Sequence, residues 1–175
     1  ALYHRVCLVR CAQELGEVAR SMKGIVLSSK AEEYMNRFTE QEVAYLQNQR
    51  LARIATVSAK GDLHVVPVGF RYNPEYDTID IGGHNFATSK KYRDAIRHGR
   101  IAIVVDDVQP PWKPRFVEVR GTVEAISSGG KAINDQFEAD MLRLTPTYIV
   151  SFGVNDVGIM PGGQQQVNYH GRKVE

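Results

Sequence analysis

Long apolar runs are missing from this sequence. No stretch approaches the ~20 consecutive apolar residues that a helical membrane span needs, so no such span is expected. Cysteine is scarce as well. Cys7 and Cys11, one helical turn apart, are the only two, and they form no disulfide framework; a reducing, cytoplasmic location is expected. At the N-terminus His4, Arg5 and Arg10 interrupt Leu2, Val6, Leu8 and Val9, so no secretory apolar region is read there. An excess of charge of one sign is also lacking: 22 − 20 leaves a net charge of +2, too balanced for a dedicated nucleic-acid binder. The residues of self-sufficient catalysis are absent in their turn. There is no Gly-x-Ser-x-Gly elbow, no His-Glu-x-x-His, no Walker loop and no Gly-x-Gly-x-x-Gly. An enzyme with this inventory borrows its chemistry from a cofactor.

What is present describes roughly one domain, since 175 residues is close to the ~150 typical of one, and 43% hydrophobic content is enough to bury a core. Residues 1–34 carry Val6, Val9, Leu15, Val18, Ala19 and Met22 mostly at helical spacing, which predicts an amphipathic helix from Arg5 to Met22. This stretch is read as a helical N-terminal extension or an appended leader. His4, Cys7 and Cys11 share one face of that helix, but no fourth ligand follows, so no metal site is assigned. Thr39 with Glu42 three residues later forms a capping box, and a helix through Val43 and Leu46 follows.

From Leu51 the apolar period becomes that of strands. Residues 51–58, 63–72, 78–82, 100–106, 116–126 and 147–154 read as six, with a helix opened by Thr88 or Ser89 and closed by Gly99, and another over Asn134–Leu142. Six short strands with helices at the crossovers predict a mainly β fold, a small antiparallel barrel. Residues 35–155 are taken as the main domain. Residues 156–175 lack periodicity and read as an arm or tail.

One segment is built like an anion site. Thr88-Ser89-Lys90-Lys91-Tyr92-Arg93 puts hydroxyls, backbone N–H groups and three cations at a helix N-terminus, where phosphate is favoured. A solvated basic face explains the same residues. His84, beside Gly83 at a strand end, is open to a ligand or is a plain surface histidine.

Val65-Val66-Pro67-Val68-Gly69-Phe70-Arg71-Tyr72, Thr78-Ile79-Asp80-Ile81-Gly82-Gly83-His84 and Ser89-Lys90-Lys91-Tyr92-Arg93-Asp94 together resemble the pyridoxamine 5'-phosphate oxidase-like split-barrel flavoprotein superfamily. Asp106 to Arg115, and Leu144-Thr145-Pro146 through Ser151-Phe152-Gly153, are similar to its subgroup of deazaflavin (coenzyme F-420)-dependent oxidoreductases. The resemblance runs from about Met35 to Asn155. It implies a six-stranded split barrel, a homodimer with cofactor clefts at the subunit interface, and hydride transfer between the deazaflavin and a small unsaturated or carbonyl substrate. FMN is the alternative cofactor, and a non-catalytic flavin-, deazaflavin- or haem-binding protein the alternative function.

By position, Lys91 with Ser89 and Lys90 would hold the cofactor phosphate. Pro67, Val68, Gly69 and Phe70 would lie along the ring, Gly83 and His84 would edge the cleft, and Trp112 and Arg115 would form its rim. Arg53, Arg71, Arg93, Arg97 and Arg115 are candidates for a longer anionic tail. The chain departs from true pyridoxamine phosphate oxidases in lacking their phosphate-binding Arg early in the second strand and their C-terminal Arg-x-His, which argues against oxidation of vitamin B6 phosphates. Barrel core is the alternative reading of Val66 to Phe70, and for Val66 and Val68 it explains the residues equally, but Pro67 in mid-strand forfeits a ladder hydrogen bond.

Overall fold

The computed structural model describes residues 36–154 and 169–174. The predicted helix over 5–22, and with it His4, Cys7 and Cys11, lies outside the described residues.

The elements in chain order are α1 (Glu40–Gln47), β1 (Leu51–Val57), β2 (Leu63–Asn73), β3 (Thr78–Gly82), α2 (Lys90–His98), β4 (Arg100–Gln109), β5 (Lys113–Ile126), α3 (Gly130–Ile133), β6 (Met141–Phe152) and β7 (His170–Lys173). The sheet runs β3-β2-β1-β4-β5-β6-β7 with antiparallel neighbours, and β3 also pairs with β6. That last pairing closes a six-stranded barrel.

Strand alternation divides the residues between its inside and outside. Ala52 and Ile54, Val68 and Phe70, Ile79 and Ile81, Ile101 and Ile103, and Val117 and Val119 are buried together in one core. Helices cover the two barrel ends. The Tyr45 hydroxyl of α1 reaches Val105 O, Asp107 and Arg115 O, where β4 finishes and β5 begins. At the opposite end the α2 residues Tyr92 and Ala95 join the core beside Phe86, and His98 meets the Ser58 carbonyl at 3.2 Å.

Thr39 caps α1 through the predicted box: its hydroxyl accepts from Glu42 N–H at 3.2 Å, and Glu42 accepts from Thr39 N–H at 2.9 Å. β3 holds the predicted bounds, while β4 and β5 run further than predicted, joined by the Asp107–Arg115 pair on their hairpin. The helix expected over Asn134–Leu142 is not formed. Asn134 is extended (φ −158°, ψ 133°), its side chain accepts from Gln136 N–H in a turn, and Met141 and Leu142 open β6 opposite Ile126 and Ala125. Four residues of the expected arm add β7 to the edge of β6.

Pro67 sits in β2 beyond the reach of β3, which pairs only with Gly69–Asn73. The first half of β2 has β1 as its single neighbour, so the missing N–H of Pro67 need not interrupt a ladder. Among the described residues no helix is long and apolar enough to cross a membrane.

Candidate functional site

The N-terminus of α2 is organised by its own side chains. Ser89 is the N-cap: its hydroxyl accepts from Tyr92 N–H at 3.3 Å and donates to the Phe86 carbonyl at 2.6 Å. The cations behind it are mostly committed. Lys90 (2.5 Å) and Arg97 (3.0 Å) both pair with the buried Asp94, whose carboxyl the Lys90 ammonium holds below the usual carboxylate range. Arg93 donates to the Thr88 carbonyl. Lys91 alone of the three lysine and arginine residues in this first turn has no carboxylate or carbonyl partner among the described residues; its ammonium lies 5.5 Å from the centre of the Phe86 ring. Of the three cations predicted to converge on an anion, Lys91 is the one still available.

A strip of bare backbone leads from the outer barrel wall to this helix. Gly69 of β2 and Gly82 of β3 are directly paired, so both turn the same face outward. The Phe137 ring rests on that face: a Cβ on Gly69 would fall 2.6 Å from Phe137 Cζ, and one on Gly82 would fall 3.2 Å from Cδ2. Phe137 also meets His84 edge to face, ring centres 5.3 Å apart. One step along the chain, Asn85 takes a positive φ of 49°, and the successive N–H groups of Asn85 and Phe86 point at one place. Both donate to the Glu138 carboxylate, at 3.2 and 3.1 Å. Two adjacent main-chain N–H groups converging in this way make an anion-binding concavity.

The predicted site residues divide accordingly. Gly69, Gly83, His84, Ser89, Lys90 and Lys91 lie along this strip or at the helix it runs into, and Pro67 is exposed on the outer wall next to it. The side chains of Val68 and Phe70 face the barrel interior, 5% and 4% exposed, so only their main chain is open to the cleft. Arg115 is spent on Asp107, by hydrogen bonds of 2.9 and 2.6 Å, with its guanidinium 4.9 Å from the Tyr45 ring. Burial and the neighbouring Asp107 push the Tyr45 phenol well up. Trp112 stands 75% exposed in the β4–β5 turn, beyond the cis Pro110–Pro111 bond. Arg53 pairs with Asp106 at 3.4 Å and Arg71 with Asp80 at 3.4 Å, so each tail-binding candidate already has a partner.

Phe137, Glu138 and the N–H pair of Asn85 and Phe86 escaped the sequence reading. The Gly129-Gly130 pair and the turn-forming Asn134-Asp135 were the signals of a folded loop there. Among the described residues no three His, Cys, Asp or Glu side chains are placed to hold a metal ion.

Comparison with known proteins places the fold. The pyridoxamine 5'-phosphate oxidase family profile matches residues 38–151. A curated relative, the 5a,11a-dehydrotetracycline/5a,11a-dehydrooxytetracycline reductase of Streptomyces rimosus, is 39% identical over 119 residues, covering 67% of this chain and 84% of its own. Among solved structures, a conserved hypothetical protein from Mycobacterium tuberculosis superposes with a TM-score of 0.55 at 15% identity, over 71% of this chain and 90% of its own. A protein described as an F420 reductase gives 0.52 at 21% identity, over 64% and 98%. These structural likenesses concern the fold.

Proposed function

Because the chain belongs to the pyridoxamine 5'-phosphate oxidase family, we propose that it is an oxidoreductase transferring a hydride between the deazaflavin coenzyme F-420 and a small unsaturated or carbonyl substrate. The observation that carries this reading is the Gly69–Gly82 strip ending at the N–H pair of Asn85 and Phe86, with the Lys91 ammonium over the Phe86 ring. An aromatic ring already rests on the strip and a carboxylate already sits on the N–H pair, so these surfaces accept both parts of a ring-and-anion cofactor. The relative from Streptomyces rimosus, a reductase of a dehydrotetracycline, supports reduction of an unsaturated substrate.

A bound deazaflavin or flavin supplies the hydride chemistry that no side chain here provides. The chain's part is placement. Gly69 and Gly82, lacking Cβ atoms, would let a flat ring lie close to the sheet; Val68 and Phe70 anchor that sheet from inside; Asn85, Phe86 and Lys91 would hold the anion; Pro67 and His84 would flank the ring. The outer wall next to the strip is apolar, with Leu63 82% and Val65 61% exposed on a half-open strand. A second copy of the chain covering that wall would complete the cleft and exclude water, so a homodimer belongs to the proposal.

FMN in place of the deazaflavin is favoured by one observation. Among the described residues Lys91 is the available cation at the start of α2, whereas Arg53, Arg71, Arg93, Arg97 and Arg115 are engaged, which suits one terminal phosphate better than a long anionic tail. The absorption spectrum of protein purified from a host making both cofactors decides between them. Steady-state turnover of an enone acceptor by the reduced cofactor tests the enzyme against a binding protein. Purification with neither chromophore, and no binding when either is added back, overturns the reading.

A further inference from the structure

Residues 127–140 form a self-contained excursion from the barrel wall. Its two ends are held together where Ile126 of β5 pairs with Met141 of β6. Within it Gly130 N–H donates to the Ala139 carbonyl at 2.9 Å. A Cβ on Gly130 would lie 3.1 Å from the Ala139 oxygen and 3.2 Å from that of Asp140, so only glycine lets the loop close this tightly. The excursion carries α3 and the Phe137-Glu138 pair onto β2 and β3 as one unit.

What the loop covers is specific. Phe137 is an aromatic ring laid against paired glycine backbone and edge-on to His84. Glu138, exposed to solvent, uses both carboxylate oxygens to take the N–H groups of Asn85 and Phe86. A core packing role does not explain an exposed carboxylate on a concavity of main-chain donors. Ring and anion are consecutive residues, and they lie on surfaces suited to a ring-and-anion ligand.

We propose that Phe137 and Glu138 are a built-in occupant of the cleft, and that a planar aromatic ligand bearing an anionic group binds by displacing them. This rests on the ring-and-anion site described above and adds its regulation. The loop lowers apparent affinity in proportion to the fraction of molecules in which the cleft is open. The occupant's charge also matters: Glu138 is an anion bound to the segment that leads into α2, so the incoming ligand's anion replaces an internal one and leaves neither main-chain donor unpaired.

The test compares the full chain with Phe137→Ala and Glu138→Gln, titrated separately with FMN and with coenzyme F-420, alongside amide exchange at Asn85 and Phe86. Both variants are expected to bind at least one of the two roughly three- to tenfold more tightly than the parent. Exchange at the two amides is expected to be slow in the parent and faster in Glu138→Gln. Glu138 is exposed, so that variant keeps its fold even if Phe137→Ala does not. Binding by the parent with equal or weaker binding by Glu138→Gln overturns the displacement while leaving the cofactor site standing. Absence of binding in parent and variants alike overturns both.

Discussion

Glu42 and Arg172 stand 130 positions apart and close a two-pronged ion pair, at 2.8 and 2.5 Å. Glu42 is fully buried, and the same carboxylate completes the capping box of α1. Arg172 lies on β7 and also donates to the Arg37 carbonyl at 2.7 Å. One arginine therefore ties the last strand to the first described helix.

Removing that arginine strands a buried carboxylate. Breaking a fully buried pair costs about 3–5 kcal/mol, and because the Arg172 side chain is 32% exposed about 2 kcal/mol is expected for Arg172→Ala. Urea denaturation checks this. A shift below about 0.5 kcal/mol would show that the pair is dispensable, as surface pairs often are.

The same pair sets an acid limit. Burial pushes the Glu42 carboxyl up, but hydrogen bonds from Arg172, Thr39 N–H and Ser151 outweigh it, and the net shift is downward from 4.5. Arg115 likewise holds Asp107 below 3.8. A carboxyl with a lowered folded pKa stabilises the fold above its unfolded pKa, and that stability is lost as pH falls through the lowered value. Stability is therefore expected to fall below about pH 4.5. Urea midpoints measured from neutral to acidic pH should show a shallower fall in Glu42→Gln; an unchanged slope would assign the acid limit elsewhere.

Much of this architecture is legible in the sequence because local signals and tertiary contacts agree. Thr39 and Glu42 cap a helix by themselves, Gly99 ends α2 at φ 64°, and the alternation in Thr78–Gly82 matches the observed strand. The failures occur where a distant surface decides. Ile133, Phe137 and Met141 are spaced by four and imitate a helical stripe, yet Ile133 and Phe137 face the Gly69–Gly82 backbone and Met141 begins a strand. Asp80 stands on the outer face of β3. It is fully buried between Arg143 (2.8 Å), Asn73 (2.8 Å) and Arg71, partners supplied by two other strands.

Ser89 is now a capping residue first. Both hydrogen-bonding roles of its hydroxyl are filled within the turn, so Ser89→Ala is expected to cost about 1 kcal/mol of stability. Cofactor affinity should change less than it does on loss of Lys91. Thermal denaturation and titration of the same variant separate the two effects; an intact melting profile with weakened binding would return Ser89 to the anion site.

Val65 offers a direct handle on assembly. It is 61% exposed, in the half of β2 that has one neighbour, next to the still more exposed Leu63. A carboxylate placed there must be desolvated if a second copy covers the wall, a cost of several kcal/mol. Val65→Asp is therefore expected to convert a dimer to a monomer in sedimentation without lowering monomer stability. A parent protein that is strictly monomeric yet binds cofactor tightly would sink the dimer.

Lys91 is the sharpest test of the anion site. Its neighbours Lys90 and Arg93 are held by Asp94 and by the Thr88 carbonyl, so their charge is largely neutralised or turned aside. Among the described residues, Lys91 has only the face of Phe86 beneath it. A charge-assisted contact typically contributes about 1.5–3 kcal/mol, and a tenfold change in affinity is about 1.4 kcal/mol. Lys91→Ala should then weaken cofactor binding roughly ten- to a hundredfold, with little change in stability because the residue is partly exposed and makes no ion pair among the described residues. The difference should shrink as salt rises. Lys113, exposed at the start of β5, provides a control of equal charge remote from α2. If Lys91→Ala and Lys113→Ala bind FMN and coenzyme F-420 equally well, no anion rests on the start of α2, and its basic residues serve only as a solvated face.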